Sequence, residues 1–160
     1  MIEHRLAIYV RDHHAAGRAG RRLAVRAARS VSSAVEGRDQ LPRVAKEIEA
    51  DLESLDAIMR FEGITPSVVK DSVAVVLEGL GRLKLNGRAL GRSRLSDVIE
   101  LETLLIGITG KAALWRTLSR ALDGSEHDFD ALIERAQAQI EAVSRCRDSA
   151  ALNTFGRAGQ

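Results

Sequence analysis

What most narrows the folds open to this chain is the spacing of apolar residues near its start. Ile2, Leu6, Tyr9, His13, Ala16, Gly20, Leu23, Ala27 and Val31 advance by threes and fours and share one stripe at 100° per residue. The spacing predicts a long amphipathic helix. Arg11, Arg18, Arg22 and Arg29 gather on the opposite side, His13 faces inward and His14 lies closer to the polar side. Gly17 and Gly20 weaken such a helix by up to about 1 kcal/mol each relative to alanine. A close neighbouring backbone is the expected reason for both.

Turn chemistry divides the remainder. "VEGRDQLP" closes a first hairpin, and a second helix is expected from Leu41 to Glu62, with Val44, Ile48, Asp51, Leu55 and Ile58 on its seam. In "EGITPS", Gly63 suits a helix C-terminal cap, Thr65 an N-cap and Pro66 a first helical position. A third helix is expected from Pro66 to Leu85, including the β-branched run "VAVVL", because the apolar spacing stays helical through it. The basic connection "LNGRALGRSR" leads to a fourth helix, Leu95 to Leu122. After "DGSEHD" comes a fifth, from Asp128 to Leu152. The expected fold is all-α: an up-and-down bundle of four principal helices plus a fifth C-terminal helix. Residues 1–152 form one domain and 153–160 a frayed tail.

Two glycines and a lysine interrupt the apolar stretch "LLIGITGKAALW", which poses a choice between phosphate loop and helix. A Walker A loop needs a glycine five residues before its Gly-Lys pair and a hydroxyl after the lysine; here those places hold Leu105 and Ala112. The GxxG loop of KH domains matches Gly107 to Gly110 but needs flanking strands that no period-two pattern supplies. Helix is the remaining reading. Leu101, Leu104, Leu105, Ile108, Ala112 and Trp115 cover one broad arc, with Glu100, Gly107, Lys111 and Leu118 on the other. Lys111 is then a solvated charge, and Gly107 and Gly110 allow close helix approach.

Composition excludes several classes. With 45% hydrophobic and 29% charged residues over 160 positions, the chain can bury a real core and is too apolar for disorder. No apolar run reaches the roughly 18 residues of a membrane span, and "MIEHRLAIYVRDHH" lacks a cleavage site, so a cytoplasmic location and no membrane partner are expected. The single cysteine, Cys146, forms no internal disulfide and reads as a small helix residue. Residues 1–33 carry seven arginines against Glu3 and Asp12, a local +5 in a chain of net +2. Such an asymmetry suits an anionic partner or pairing between segments. Aromatic content of 3% leaves few platforms for stacking bases, so a nucleic-acid partner on the Arg11, Arg18, Arg22, Arg29 face is the third choice among functions.

Polar residues on apolar seams carry the functional signal, since burying them costs several kcal/mol without partners. His13, Asp51 and Glu102 are the candidates. Histidines and carboxylates on facing helices can ligate metals, so a divalent metal is the ion these three would hold; no cofactor is otherwise required. In a tight hairpin, however, His13 lies level with residues 57–61, which offsets Asp51 by about 10 Å at 1.5 Å per residue. Buried hydrogen bonds or ion pairs are the simpler expectation, with Arg22 and Arg26 near the level of Glu47 and Asp51.

In chain order, "YVRDHHAAGRAG", "EIEADLESL", "GRLKLNG" and "LETLLIGITGKAALW" resemble a family of bacterial helical proteins, without an assigned activity, whose bundle is similar to the ferritin-like fold. The resemblance covers most of residues 6–118 and implies that Asp12, His13, Glu47, Asp51 and Glu102 are the positions to follow. The chain departs from ferritins in lacking Glu-x-x-His, which counts against oxidase or iron-storage chemistry. The expected function is therefore a non-catalytic structural or interaction protein that self-associates as a homodimer, with room for an unidentified protein partner. A metal-binding bundle is second.

Overall fold

The computed structural model describes residues 4–66 and 93–156. Four α-helices account for most of them: α1 (His4–Ser30), α2 (Leu41–Phe61), α3 (Arg94–Ala121) and α4 (Phe129–Phe155), with a 3-10 turn at Arg38–Gln40 before α2. This corrects the expected four helices plus a fifth. Among the described residues there are four α-helices and no strand, and the C-terminal helix is one of the four bundle members. The helix expected from Pro66 to Leu85 lies, apart from Pro66, outside the described residues.

Local chemistry sets the helix ends. Pro42 occupies the first turn of α2, where its missing N–H costs nothing. At the other end Gly63 takes φ +69°, a left-handed conformation that suits glycine. Its N–H bonds the Arg60 carbonyl at 3.3 Å, and the N–H of Ile64 reaches back to Met59 at 2.8 Å. These two bonds are the Schellman pattern, and Ile64 and Met59 are both buried beside it. Before α4, Asp128 caps the helix by accepting from the Ala131 N–H at 3.0 Å.

Each helix packs antiparallel to two neighbours, in the ring order α1, α2, α4, α3. Along α1 and α2, His14 meets Asp56 and Arg21 meets Glu49. Along α1 and α3, the Tyr9 hydroxyl meets that of Thr117, and the Ser32 N–H bonds Asp97. Glu47 and Asp51 of α2 meet Gln139 and Arg135 of α4 in reversed order, as do Glu102 and Lys111 of α3 with Arg147 and Gln139. The result is an all-α bundle of antiparallel neighbours in which α2 and α3, on opposite corners, run the same way.

The position of α1 between two partners explains a shift in its buried face. Ala7, Val10 and His14 are buried, whereas Tyr9, His13 and Ala16 of the expected stripe are only half-buried. His14 turns to α2 while His13 turns to α3, where its Cε1 lies 4.0 Å from the place a Gly110 Cβ would occupy. The apolar core falls into two clusters. One holds Leu23, Ala27, Val44, Ile48, Leu101 and Val143; the other holds Val10, Leu55, Met59, Trp115, Leu118 and Ala136.

Gly63→Ala forces a Cβ into the left-handed region, so it is expected to destabilise the fold by about 1–2 kcal/mol. Urea unfolding followed by circular dichroism measures this.

Candidate functional site

Between the two apolar clusters lies a layer of charge. Asp51 sits on the buried seam of α2 between Ile48 and Leu55, and is 1% exposed. A carboxylate removed from water needs several donors, and α3 and α4 supply them. Lys111 Nζ donates to Oδ2 of Asp51, and Arg135 grips Oδ1 through Nε at 2.7 Å and Nη2 at 2.5 Å. Gln139, fully buried, donates from Nε2 to Oδ2 at 3.2 Å, while its Oε1 accepts from Lys111 Nζ at 2.5 Å. The same amide donates to Glu47 at 3.2 Å, and Glu47 in turn accepts from Arg43 at 2.5 Å. Burial pushes the Lys111 ammonium below its usual pKa, opposed by the attraction of Asp51.

Beside this layer an open cavity of about 310 Å3 lies among α1, α2 and α3. Ala16 and Gly20 line it from α1, Leu52 and Leu55 from α2, and Gly107 and Trp115 from α3. His13, Asp51 and Lys111 are the groups with charge or imidazole chemistry on its wall. His13 packs edge-on to the Tyr9 ring at 4.5 Å; burial lowers its pKa from 6.5, partly offset by the carboxylate of Asp12. Trp115 is 1% exposed, and its indole N–H finds no acceptor among the described residues.

The structure thus brings His13 and Asp51 to one cavity and leaves Glu102 elsewhere. Glu102 is half-exposed on the α3–α4 seam, where Oε1 accepts from Arg147 through Nε at 3.0 Å and Nη2 at 2.6 Å. Among the described residues no group of three or more His, Cys, Asp or Glu side chains is arranged to hold a metal. Glu47 joins the polar layer, and Asp12 is exposed on α1. The cation expected beside Asp51 is not Arg26, which donates from Nε to Glu100, a residue 1% exposed.

Lys111 is the residue the sequence reading missed. It falls three after Ile108 and four before Trp115, so it shares their buried stripe, and its four-carbon stem carries the ammonium inward to Asp51. Its side chain is 16% exposed, unlike the solvated charge expected. Glu100 was hidden in the same way, four before Leu104 on the edge of α3 that faces α1. His14, expected near the polar side, is buried and bonds Asp56 at 2.8 Å. Cys146 is fully buried, and burial raises its thiol pKa, which makes it a packing residue. On the arginine face, Arg18, Arg21 and Arg22 line a shallow basic groove with His14 and Asp56, and Arg11 donates to the Thr65 carbonyl at 2.9 Å.

Compared with known proteins, the chain matches no protein-family model, no curated protein and no solved structure. Among the described residues no helix is long and apolar enough to cross a membrane.

Asp51→Ala strands two cations and a buried amide, so a loss of about 3–5 kcal/mol is expected in urea unfolding. Replacing the whole cluster, with Asp51→Leu, Lys111→Met and Arg135→Met together, restores most of it because no unpaired charge remains. For His13 the pKa is lower in the folded chain than in the unfolded one. Stability is complete above pH 6.5 and falls as pH drops below it, because the unfolded chain then binds more protons. His13→Gln removes this share of the decline; the comparison is the urea midpoint of both proteins above and below pH 6.5.

Proposed function

We propose that this chain is a non-catalytic interaction protein that works as a cytoplasmic homodimer. One observation carries the non-catalytic part: His14, Asp51, Asp97, Glu100 and Gln139 are the polar or charged side chains buried among the described residues, and each is engaged by the chain itself. Catalytic groups are held ready for a substrate. These hold one another and fix the register of the helices. A ferritin-like arrangement is supported by the four long helices, each antiparallel to its two neighbours, with α2 and α3 on opposite corners.

Self-association is supported by an apolar patch at the end of the bundle where α3 begins and α4 finishes. Leu152 is 72% exposed, Phe155 65% and Leu95 38%. Arg94 Nη1 donates to the Asn153 carbonyl at 3.0 Å and draws the two helix ends together beneath that patch. A second copy related by a two-fold axis would cover it with the same residues.

Sedimentation equilibrium tests this. A species of twice 17.4 kDa is expected at micromolar concentration, reverting to 17.4 kDa when Leu152→Asp and Phe155→Asp are combined. A wild-type protein that sediments as 17.4 kDa throughout would remove the dimer from the proposal.

A further inference from the structure

The cavity among α1, α2 and α3 contains two glycines whose presence packing does not explain. Gly20 and Gly107 lie inside long helices, where glycine costs up to about 1 kcal/mol relative to alanine. Helix glycines are often kept so that another element can come close. Here a Cβ built on either residue meets nothing within 4 Å among the described residues, and both residues line the cavity, Gly20 half-buried and Gly107 exposed. By contrast, a Cβ at Gly17 would stand 3.3 Å from Leu52 Cδ1, a tight contact that accounts for glycine there. At Gly20 and Gly107 the missing side chains enlarge a space.

Two groups at that space, Trp115 and Lys111, have more donors than acceptors among the described residues. An indole N–H can only donate, and that of Trp115, on a side chain 1% exposed, has no acceptor among the described residues. An unmade bond of this kind costs about 1–3 kcal/mol. Lys111 carries three N–H donors, of which Asp51 and Gln139 take two. Charge points the same way: among the described residues Arg43, Lys111 and Arg135 meet the two carboxylates of Glu47 and Asp51 in the connected layer. The rest of the wall is largely alanine, glycine, leucine and isoleucine. At about 310 Å3 the volume is at the small end of ligand pockets.

We propose that this cavity binds a small, elongated apolar molecule ending in a carboxylate, with the chain lying over Gly20 and Gly107 and the carboxylate received by the Trp115 N–H and the free donor of Lys111. The site is separate from the dimer patch at the bundle end, so neither proposal stands on the other. Trp115 is the single tryptophan of the chain, and its fluorescence reports directly on the cavity.

The test is titration of the full chain with decanoate, with decan-1-ol as the head-group control, followed by tryptophan emission and thermal unfolding. Decanoate is expected to change the emission saturably below millimolar concentration and to raise the thermal midpoint. Decan-1-ol is expected to bind at least tenfold more weakly. Gly20→Leu and Gly107→Leu, made separately on two helices, fill the space: each is expected to keep or raise the unliganded thermal midpoint and to lose the emission response. The proposal is overturned if decanoate gives no saturable change, if the response survives both leucine variants, or if decan-1-ol binds as tightly as decanoate. It is also overturned if both leucine variants lower the unliganded midpoint, because the space would then be filled by polypeptide, either this chain's own or a second copy's.

Discussion

The bundle is organised around the dehydrated carboxylate of Asp51. A carboxylate 1% exposed between apolar turns of α2 is tolerable only if cations reach it from other helices. Lys111 on α3 and Arg135 on α4 do so, and Gln139 closes the circuit. That requirement holds three helices at one level. It also divides the apolar interior, with Ile48, Ile108 and Ala142 on one side of the layer and Leu55, Ala112 and Ala136 on the other. Sliding α4 by one turn against α2 would carry Arg135 from Asp51 to the level of Leu55 or of Glu47, and Asp51 would lose that donor. An apolar layer would hold the helices together as strongly, but it would tolerate such a slip.

Helix ends were legible in the sequence because they depend on residues close together in the chain. Gly63, expected as a helix C-terminal cap, acts within a turn of itself, and the structure has it in that role. Asp51 was also legible as a charge interrupting an apolar seam. Its partners were not, because they depend on which arc of α3 is buried. The leucines at 101, 104 and 105 draw the apparent centre of that arc away from Lys111 and Glu100. Two neighbours, α1 and α4, bury both edges of the helix, and one charged residue on each edge goes in with them. The glycines show another limit. Close contact and empty space call for the same residue, and only the packing of the helices separates Gly17, beside Leu52, from Gly20, which meets no neighbour among the described residues. The same dependence on long-range contacts left Glu102 looking like a core ligand, when α4 offers it Arg147 on an outer seam.

The order of helices around the ring also bears on how the chain reaches this structure. α1 meets α2, and α3 meets α4, across the connections 31–40 and 122–128, so each pair closes a short loop. The pairs then meet through contacts far apart in the chain: Asp97 with Ser32 across 65 positions, Arg135 with Asp51 across 84, and Tyr9 with Thr117 across 108. Closing longer loops costs more entropy before any contact repays it, and local pairings form faster. Two helical hairpins are therefore expected to assemble before they dock. The ionic layer, which spans both hairpins, is completed only in that final step, so before docking the Asp51 carboxylate remains hydrated.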